Sequence, residues 1–280
     1  MPGGAMAGRR REAVSGKPRR GGSGRRPVRR LVRRALLVLA GLGIVSGAVL
    51  GGEYRYTRGR DYLDAASAPP VRGTFGTDRS GAGRPLRLVM AGDSTGAGLG
   101  ASTTATTVGG VVAAGLAERT GRQVVLESVA ASGAVSADMP GQAAGALALR
   151  PDLVLMLVGA NDTTHLTRLG TVRDELGEAV LALRTAGVEV VVGTCPDMGA
   201  RNFPQPLRAL TAFRGRQVAG AQREAVTEAG GVPVPLAKLV GPAFRADPAT
   251  SSADLFHPSD RGYALWAGAL LPAVVAAASP

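Results

Sequence analysis

The side chains able to do nucleophilic chemistry fall into a few short, separated clusters. The first is residues 91–100, AGDSTGAGLG. Gly92-Asp93-Ser94-Thr95-Gly96 satisfies G-x-S-x-G, a sharp strand-to-helix turn that exposes a serine nucleophile, whereas Gly96, Gly98 and Gly100 suggest a loop that cradles phosphate. A serine hydroxyl attacks a carbonyl only when a base takes its proton, a third group orients that base, and donors meet the charge developing on the carbonyl oxygen. The chain has two histidines, His165 and His257, so the choice of base is narrow. Each follows an aspartate by three residues, Asp162 and Asp254, a spacing at which the carboxylate can fold back onto the ring and fix its tautomer. Spacing alone leaves both pairs open. Asn161 directly precedes the first pair, and its amide suits an oxyanion hole.

These residues lie where a particular architecture would gather them. Apolar runs at 86–91, 124–130, 152–160, 188–194 and 232–239 alternate with longer helical patterns at 106–121, 139–149, 171–187 and 207–230, and a closing helix spans about 259–277. Strand then helix, repeated, predicts a parallel sheet of five strands covered on both faces; the runs do not alternate with polar residues, as buried strands would not. In such sheets ligands bind beyond the carboxyl ends of the strands. The segments found there are GDSTGAG, ASGA, NDTTH, CPDMGARNFPQP and ADLFHPSDRGY, so a Ser, a Gly, an Asn and a His converge on one rim. The lone cysteine, Cys195, excludes an intrachain disulfide and a thiolate metal cluster and reads as a small buried hydrophobe. Tyr263, Trp266 and Leu270 on the last helix read as core.

Taken together, GDST with Ser94, AASGA with Gly133, GAND with Asn161, and DLFH with Asp254 and His257 resemble, in order and spacing, the SGNH (GDSL-type) hydrolase family over residues 85–278. That resemblance implies a flavodoxin-like three-layer α/β/α sandwich. It implies Ser94 as nucleophile, His257 as base and then acid, and Asp254 as the group orienting His257. The N–H groups of Ser94 and Gly133 and the amide of Asn161 would form the oxyanion hole, with no cofactor and no metal. Two departures are visible: Thr95 replaces the Leu of the family name, and the Asn that often stands shortly before the glycine is missing ahead of Gly133. The rival sites fit worse. A dinucleotide loop wants G-x-G-x-x-G with an acid ending the second strand, but the spacing here is G-x-G-x-G and Glu127 lies within its strand. An α/β-hydrolase sets several strands before its serine, and Ser94 follows the first. The expected activity is cleavage of a carboxylic ester, small-molecule, lipid or carbohydrate, through an acyl-enzyme on Ser94. The alternatives are a cell-envelope carbohydrate O-acetylesterase, an acyltransferase, and an inactive surface-anchored binding protein of the same fold.

The formal charge of +12 is concentrated in residues 1–34, which hold eleven Arg, Lys17 and the single acid Glu12, a sum of +11. The remainder carries +1, so the folded part is not expected to bind nucleic acid. Residues 1–34 read as a basic disordered cytoplasmic tail. Residues 35–52 are eighteen residues without a charge, about 27 Å as a helix, and read as a membrane-spanning segment. The positive tail would stay cytoplasmic and the hydrolase domain, residues 85–280, would lie outside, joined by a linker at 53–84. The alternative is a signal peptide cleaved after Ser46-Gly47-Ala48, with secretion of the domain.

Overall fold

In a computed structural model, residues 25–81, 83–200 and 203–279 are described. The expected tail up to residue 24 lies outside them. The chain divides into two compact units, residues 1–49 and 50–280. Helix α1 runs Arg25–Arg58, beginning ahead of the apolar run. Its stretch Arg29–Thr57 is long and apolar enough to cross a membrane, and leucines such as Leu36 and Leu37 are exposed along it.

The second unit is built on strands β1 Gly73–Phe75, β2 Leu86–Gly92, β3 Val124–Ser128, β4 Leu153–Leu157, β5 Glu189–Gly193 and β6 Val232–Val234, in the order β1-β3-β2-β4-β5-β6. The five strands from β2 onward are parallel and have the flavodoxin-like order, 2-1-3-4-5 when numbered among themselves. The expectation of a five-stranded parallel sheet needs correction: β1 adds a sixth strand, antiparallel to β3, with Gly73 opposite Leu126 and Phe75 opposite Val124. It comes from residues read as linker, because three mostly exposed residues carry no apolar run to announce them. The last apolar run also splits: the strand stops at Val234, with Pro233 tolerated because β6 is the edge strand, and residues Leu236–Leu239 form a short helix, α7 in the order below.

Helices α2 Val108–Thr120, α3 Met139–Ala148, α4 Ala160–Thr164, α5 Leu169–Thr185, α6 Leu207–Glu228, α7 Leu236–Leu239, α8 Gly241–Ala246 and α9 Asp260–Ala278 complete the unit. Successive strand side chains point to opposite faces, and here both faces are dry. Leu88 and Met90 of β2 with Leu153, Leu155 and Leu157 of β4 pack under α2 and α9, against Val112, Leu116, Tyr263, Trp266 and Leu270. Val89, Ala91, Val154 and Met156 pack on the other face under α3 and α5, against Met139, Ala143, Leu176 and Val180. This is why β4 reads as LVLML with every residue buried. Helix α9 is also apolar enough to be mistaken for a membrane span. Its Tyr263, Trp266, Leu270 and Val274 are buried, which makes it a core helix.

Candidate active site

Strand β2 is the first of the parallel series, with β3 on one side and β4 on the other, so its carboxyl end is the point where winding reverses and a crevice opens. The nucleophile turn begins there. Gly92 has φ 121, and a Cβ on it would lie 1.8 Å from the Leu157 carbonyl oxygen of β4, so only glycine allows this approach. Asp93 donates its N–H to the same oxygen at 2.8 Å. The Asp93 carboxylate accepts from the Thr95 N–H at 2.9 Å and the Thr95 hydroxyl at 2.7 Å, closing the turn around Ser94. Thr95 in place of the family's Leu is thus a second strut of that turn. Gly100 serves a different approach: with φ 98, its Cβ would fall 2.4 Å from the Pro258 carbonyl and 3.2 Å from His257 Cβ. The glycines of 91–100 serve close backbone packing.

Ser94, Asp254 and His257 are all buried, at 7%, 5% and 6% exposure. Ser94 Oγ and His257 Nε2 are 3.1 Å apart, and His257 Nδ1 is 2.6 Å from Asp254 Oδ2. With Nδ1–H donating to the carboxylate, Nε2 is the free lone pair facing the serine hydroxyl, the arrangement that lets imidazole take its proton. Asp254 is held in place by its other oxygen: Oδ1 accepts from the Ser252 hydroxyl at 2.8 Å and from the N–H groups of Phe256 and His257, both at 2.9 Å. Burial pushes the Asp254 carboxyl upward, but the bond to the His257 ring, the two backbone N–H bonds and the ring's charge outweigh it. The carboxyl is held well below the usual carboxylate range.

The second Asp–His pair has a different use. His165 ends α4 exposed to solvent, while Asp162 is fully buried and its carboxylate oxygens each accept from the Ser136 N–H at 3.1 Å, one also taking the Ser136 hydroxyl at 3.0 Å. Burial raises the Asp162 carboxyl, with the bonds from Ser136 and Thr167 acting against it. Asp162 therefore straps the loop after β4 to the loop after β3. Asn161 adds to this join, its Nδ2 donating to the Ala134 carbonyl at 3.0 Å. An amide nitrogen has two hydrogens, so one remains for a ligand. Between the fixed points lies Gly133, exposed and at φ 86. On its other side Ala131 donates to the Gly92 carbonyl at 3.0 Å, which ties the Gly133 loop to the base of the nucleophile turn. A cleft of about 560 Å³ opens beside it, lined by Ala131, Ser132, Gly133, Asp138 and Gln142.

Two glutamines that sequence reasoning passed over hold the sheet's carboxyl edge open. Beyond Ser128 the backbone still donates to the Met90 and Gly92 carbonyls but gives the Gly92 N–H no acceptor, and the Gln142 side chain of α3 supplies one: its Oε1 accepts from the Gly92 N–H at 2.6 Å, and its Nε2 donates to the Gly92 carbonyl at 2.9 Å beside the Ala131 N–H. Gln222 of α6, fully buried, repeats this between β4 and β5, accepting from the Cys195 N–H at 2.7 Å and donating to the Val158 carbonyl at 2.9 Å. Gln142 had a visible signal, as the one amide in an Ala, Gly and Leu-rich helix; Gln222 sits among other polar residues and had none. Cys195 itself is buried, within 3.4 Å of the Thr163 hydroxyl.

Residues 90–265 match the GDSL-like Lipase/Acylhydrolase family, and the chain belongs to that family. A GDSL-like esterase of Mycobacterium tuberculosis is 45% identical over 193 residues, 68% of this chain and 62% of that protein, so the chain spans less than two thirds of its relative's length. Among solved structures, a member of the lipolytic protein G-D-S-L family from Veillonella parvula matches with a TM-score of 0.55 at 15% identity, covering 67% of this chain and 97% of the other. An acetyl xylan esterase from Geobacillus stearothermophilus matches at 0.52 and 19%, covering 71% and 95%. Phospholipase A1 from Streptomyces albidoflavus matches at 0.51 and 18%, covering 69% and 99%. At such identities these three carry the fold alone.

Proposed function

We propose that the chain is a serine esterase that cleaves a carboxylic ester through an acyl-enzyme on Ser94. The observation that carries this is the buried relay from Asp254 Oδ2 to His257 Nδ1 at 2.6 Å and from His257 Nε2 to Ser94 Oγ at 3.1 Å. As Ser94 Oγ bonds to the ester carbonyl carbon, its proton passes to His257 Nε2, and Asp254 stabilises the imidazolium that forms. The carbonyl oxygen, now negative, takes hydrogen bonds from the N–H groups of Ser94 and Gly133 and from the second Nδ2 hydrogen of Asn161. Collapse expels the alcohol, which leaves with the proton from His257. Water then gives a proton to His257 as its oxygen bonds to the acyl carbon, and collapse breaks the bond to Ser94 Oγ, which takes that proton back from His257 as the acid leaves. Replacing Ser94 with Ala is expected to abolish hydrolysis of a short-chain p-nitrophenyl ester and labelling by a fluorophosphonate. A folded wild-type chain that resists the fluorophosphonate would refute the proposal.

The same reading includes a membrane anchor: residues 35–52 cross the bilayer, residues 1–34 stay cytoplasmic and the hydrolase domain of residues 85–280 faces outward. It is supported by the exposed apolar side chains of the 29–57 stretch and the positive charge ahead of it. Full-length protein should remain in the membrane pellet after alkaline carbonate washing, and recovery of an untruncated chain in the wash would overturn the anchor.

A further inference from the structure

Directly after α1, residues Arg60–Leu63 lie as a strap across the loop that carries Asp254. Arg60 Nη2 donates to the Asp254 main-chain carbonyl at 2.9 Å, and the Leu63 N–H reaches Asp254 Oδ2 at 3.3 Å, the same oxygen that holds His257. The Tyr62 ring meets Phe256 edge-on at 5.4 Å, and Phe256 meets the His257 ring edge-on at 5.1 Å. The strap is held at its near end too: the Tyr62 hydroxyl donates to the Thr57 carbonyl at 2.9 Å, and Glu53 accepts the N–H of Leu207, the first residue of α6, at 3.0 Å. Three neighbouring residues thus touch the backbone, the carboxylate and the aromatic flank of one catalytic pair, from a segment about 190 residues away in sequence.

We infer that Arg60, Tyr62 and Leu63 are positioning residues for the Asp254–His257 pair, so that the segment leaving the apolar helix is part of the catalytic apparatus and not a passive tether. The inference rests on the esterase reading above. An N–H on Oδ2 fixes the direction in which that oxygen meets His257 Nδ1, and it shares the oxygen's charge with the ring. The Arg60 bond to the Asp254 carbonyl fixes the backbone from which that carboxylate projects. Loss of either strap contact should therefore loosen the aim of His257 at Ser94 Oγ.

The test uses the full chain in detergent micelles, with Arg60→Ala, Arg60→Lys and Leu63→Pro, the last removing the N–H donor. Arg60→Ala and Leu63→Pro are expected to lower kcat about tenfold with KM within about twofold. Fluorophosphonate labelling of Ser94 should slow by the same factor, while the melting temperature stays within about 2 °C of wild type. Arg60→Lys should restore most of the kcat. Wild-type kcat in both variants would overturn the inference, as would a kcat loss at Arg60→Ala that Arg60→Lys does not rescue. A wild-type chain inert to both the ester and the fluorophosphonate would instead overturn the esterase reading.

Discussion

Replacing Asp254 with Asn tests the site more sharply than removing any whole side chain, because the surroundings dictate which way the amide must face. Oδ1 accepts from Ser252 Oγ and from the N–H groups of Phe256 and His257. Turning an NH₂ toward that corner would set it against three donors, whereas the Oδ2 side faces the Leu63 N–H and His257 Nδ1. The introduced amide nitrogen therefore takes the Oδ2 position and donates to Nδ1. His257 must then carry its proton on Nε2, aimed at Ser94 Oγ 3.1 Å away, where a lone pair is needed. The fold survives, with the Leu63 N–H the one donor that loses its acceptor, and the chemistry does not. A wrong-tautomer histidine lowers kcat by about 10⁴, which corresponds to about 5.4 kcal/mol of transition-state stabilisation. The assay is steady-state hydrolysis of a short-chain p-nitrophenyl ester near neutral pH, with far-UV circular dichroism to verify folding. A folded Asp254→Asn enzyme keeping more than about one hundredth of wild-type kcat would refute the reasoning, since a lone pair on Nε2 would then be dispensable.

Other consequences are as direct. His257→Ala should abolish ester hydrolysis, while His165→Ala, a change at an exposed helix end, should retain wild-type kcat within about twofold; equal losses in the two would undo the assignment of the base. Asn161→Ala should lower kcat by about 10²–10³ with little change in KM, measured on the same ester, because the oxyanion donor is lost only where charge develops. Gly100→Ala forces a Cβ to 2.4 Å from the Pro258 carbonyl at φ 98, and should cost about 3 kcal/mol of stability, a fall in Tm of roughly 6–12 °C by thermal melt; an unchanged Tm would mean the turn does not abut the His257 loop. Asp254 has its folded pKa depressed, so the stability it contributes is present above the unfolded value of about 3.9 and is lost as pH falls below it toward the folded value. The Tm difference between wild type and Asp254→Asn should therefore be largest above pH 5 and shrink as pH falls below about 4, and a gap that widens with acid would contradict the sign.

What the sequence could disclose follows from how far each signal reaches along the chain. Strands buried on both faces must be apolar throughout, so LRLVMA and DLVLML announced themselves, whereas the order in which they pair, with winding reversing at β2, does not follow from counting them. The strand Gly73–Phe75 could not be seen this way: it is paired on one edge only, to β3, and its three mostly exposed residues carry no period. The site divides along the same line. Residues that do chemistry are scarce types, two histidines and one GDS, and scarcity makes spacing informative. Between two Asp–His pairs of equal spacing, however, spacing offered no choice and the family resemblance alone favoured Asp254 and His257, because the choice is made by what each aspartate meets in space: Ser136 for Asp162, the imidazole for Asp254. Residues that hold the machinery are common types whose roles exist only through a partner far along the chain. Gln142 reaches Gly92 across 50 residues and Leu63 reaches Asp254 across 191. Each supplies a hydrogen bond that the sheet or the loop cannot supply for itself. At the carboxyl end of the β2/β3 seam the Gly92 N–H has no ladder partner, while the Gly92 carbonyl keeps the Ala131 N–H, and a buried donor or acceptor left unmet costs about 1–3 kcal/mol. A parallel sheet that opens at its carboxyl edge to admit a substrate must therefore recruit polar side chains from its helices to that edge, and in this chain both open seams, β2/β3 and β4/β5, are filled by a glutamine from the helix that covers them.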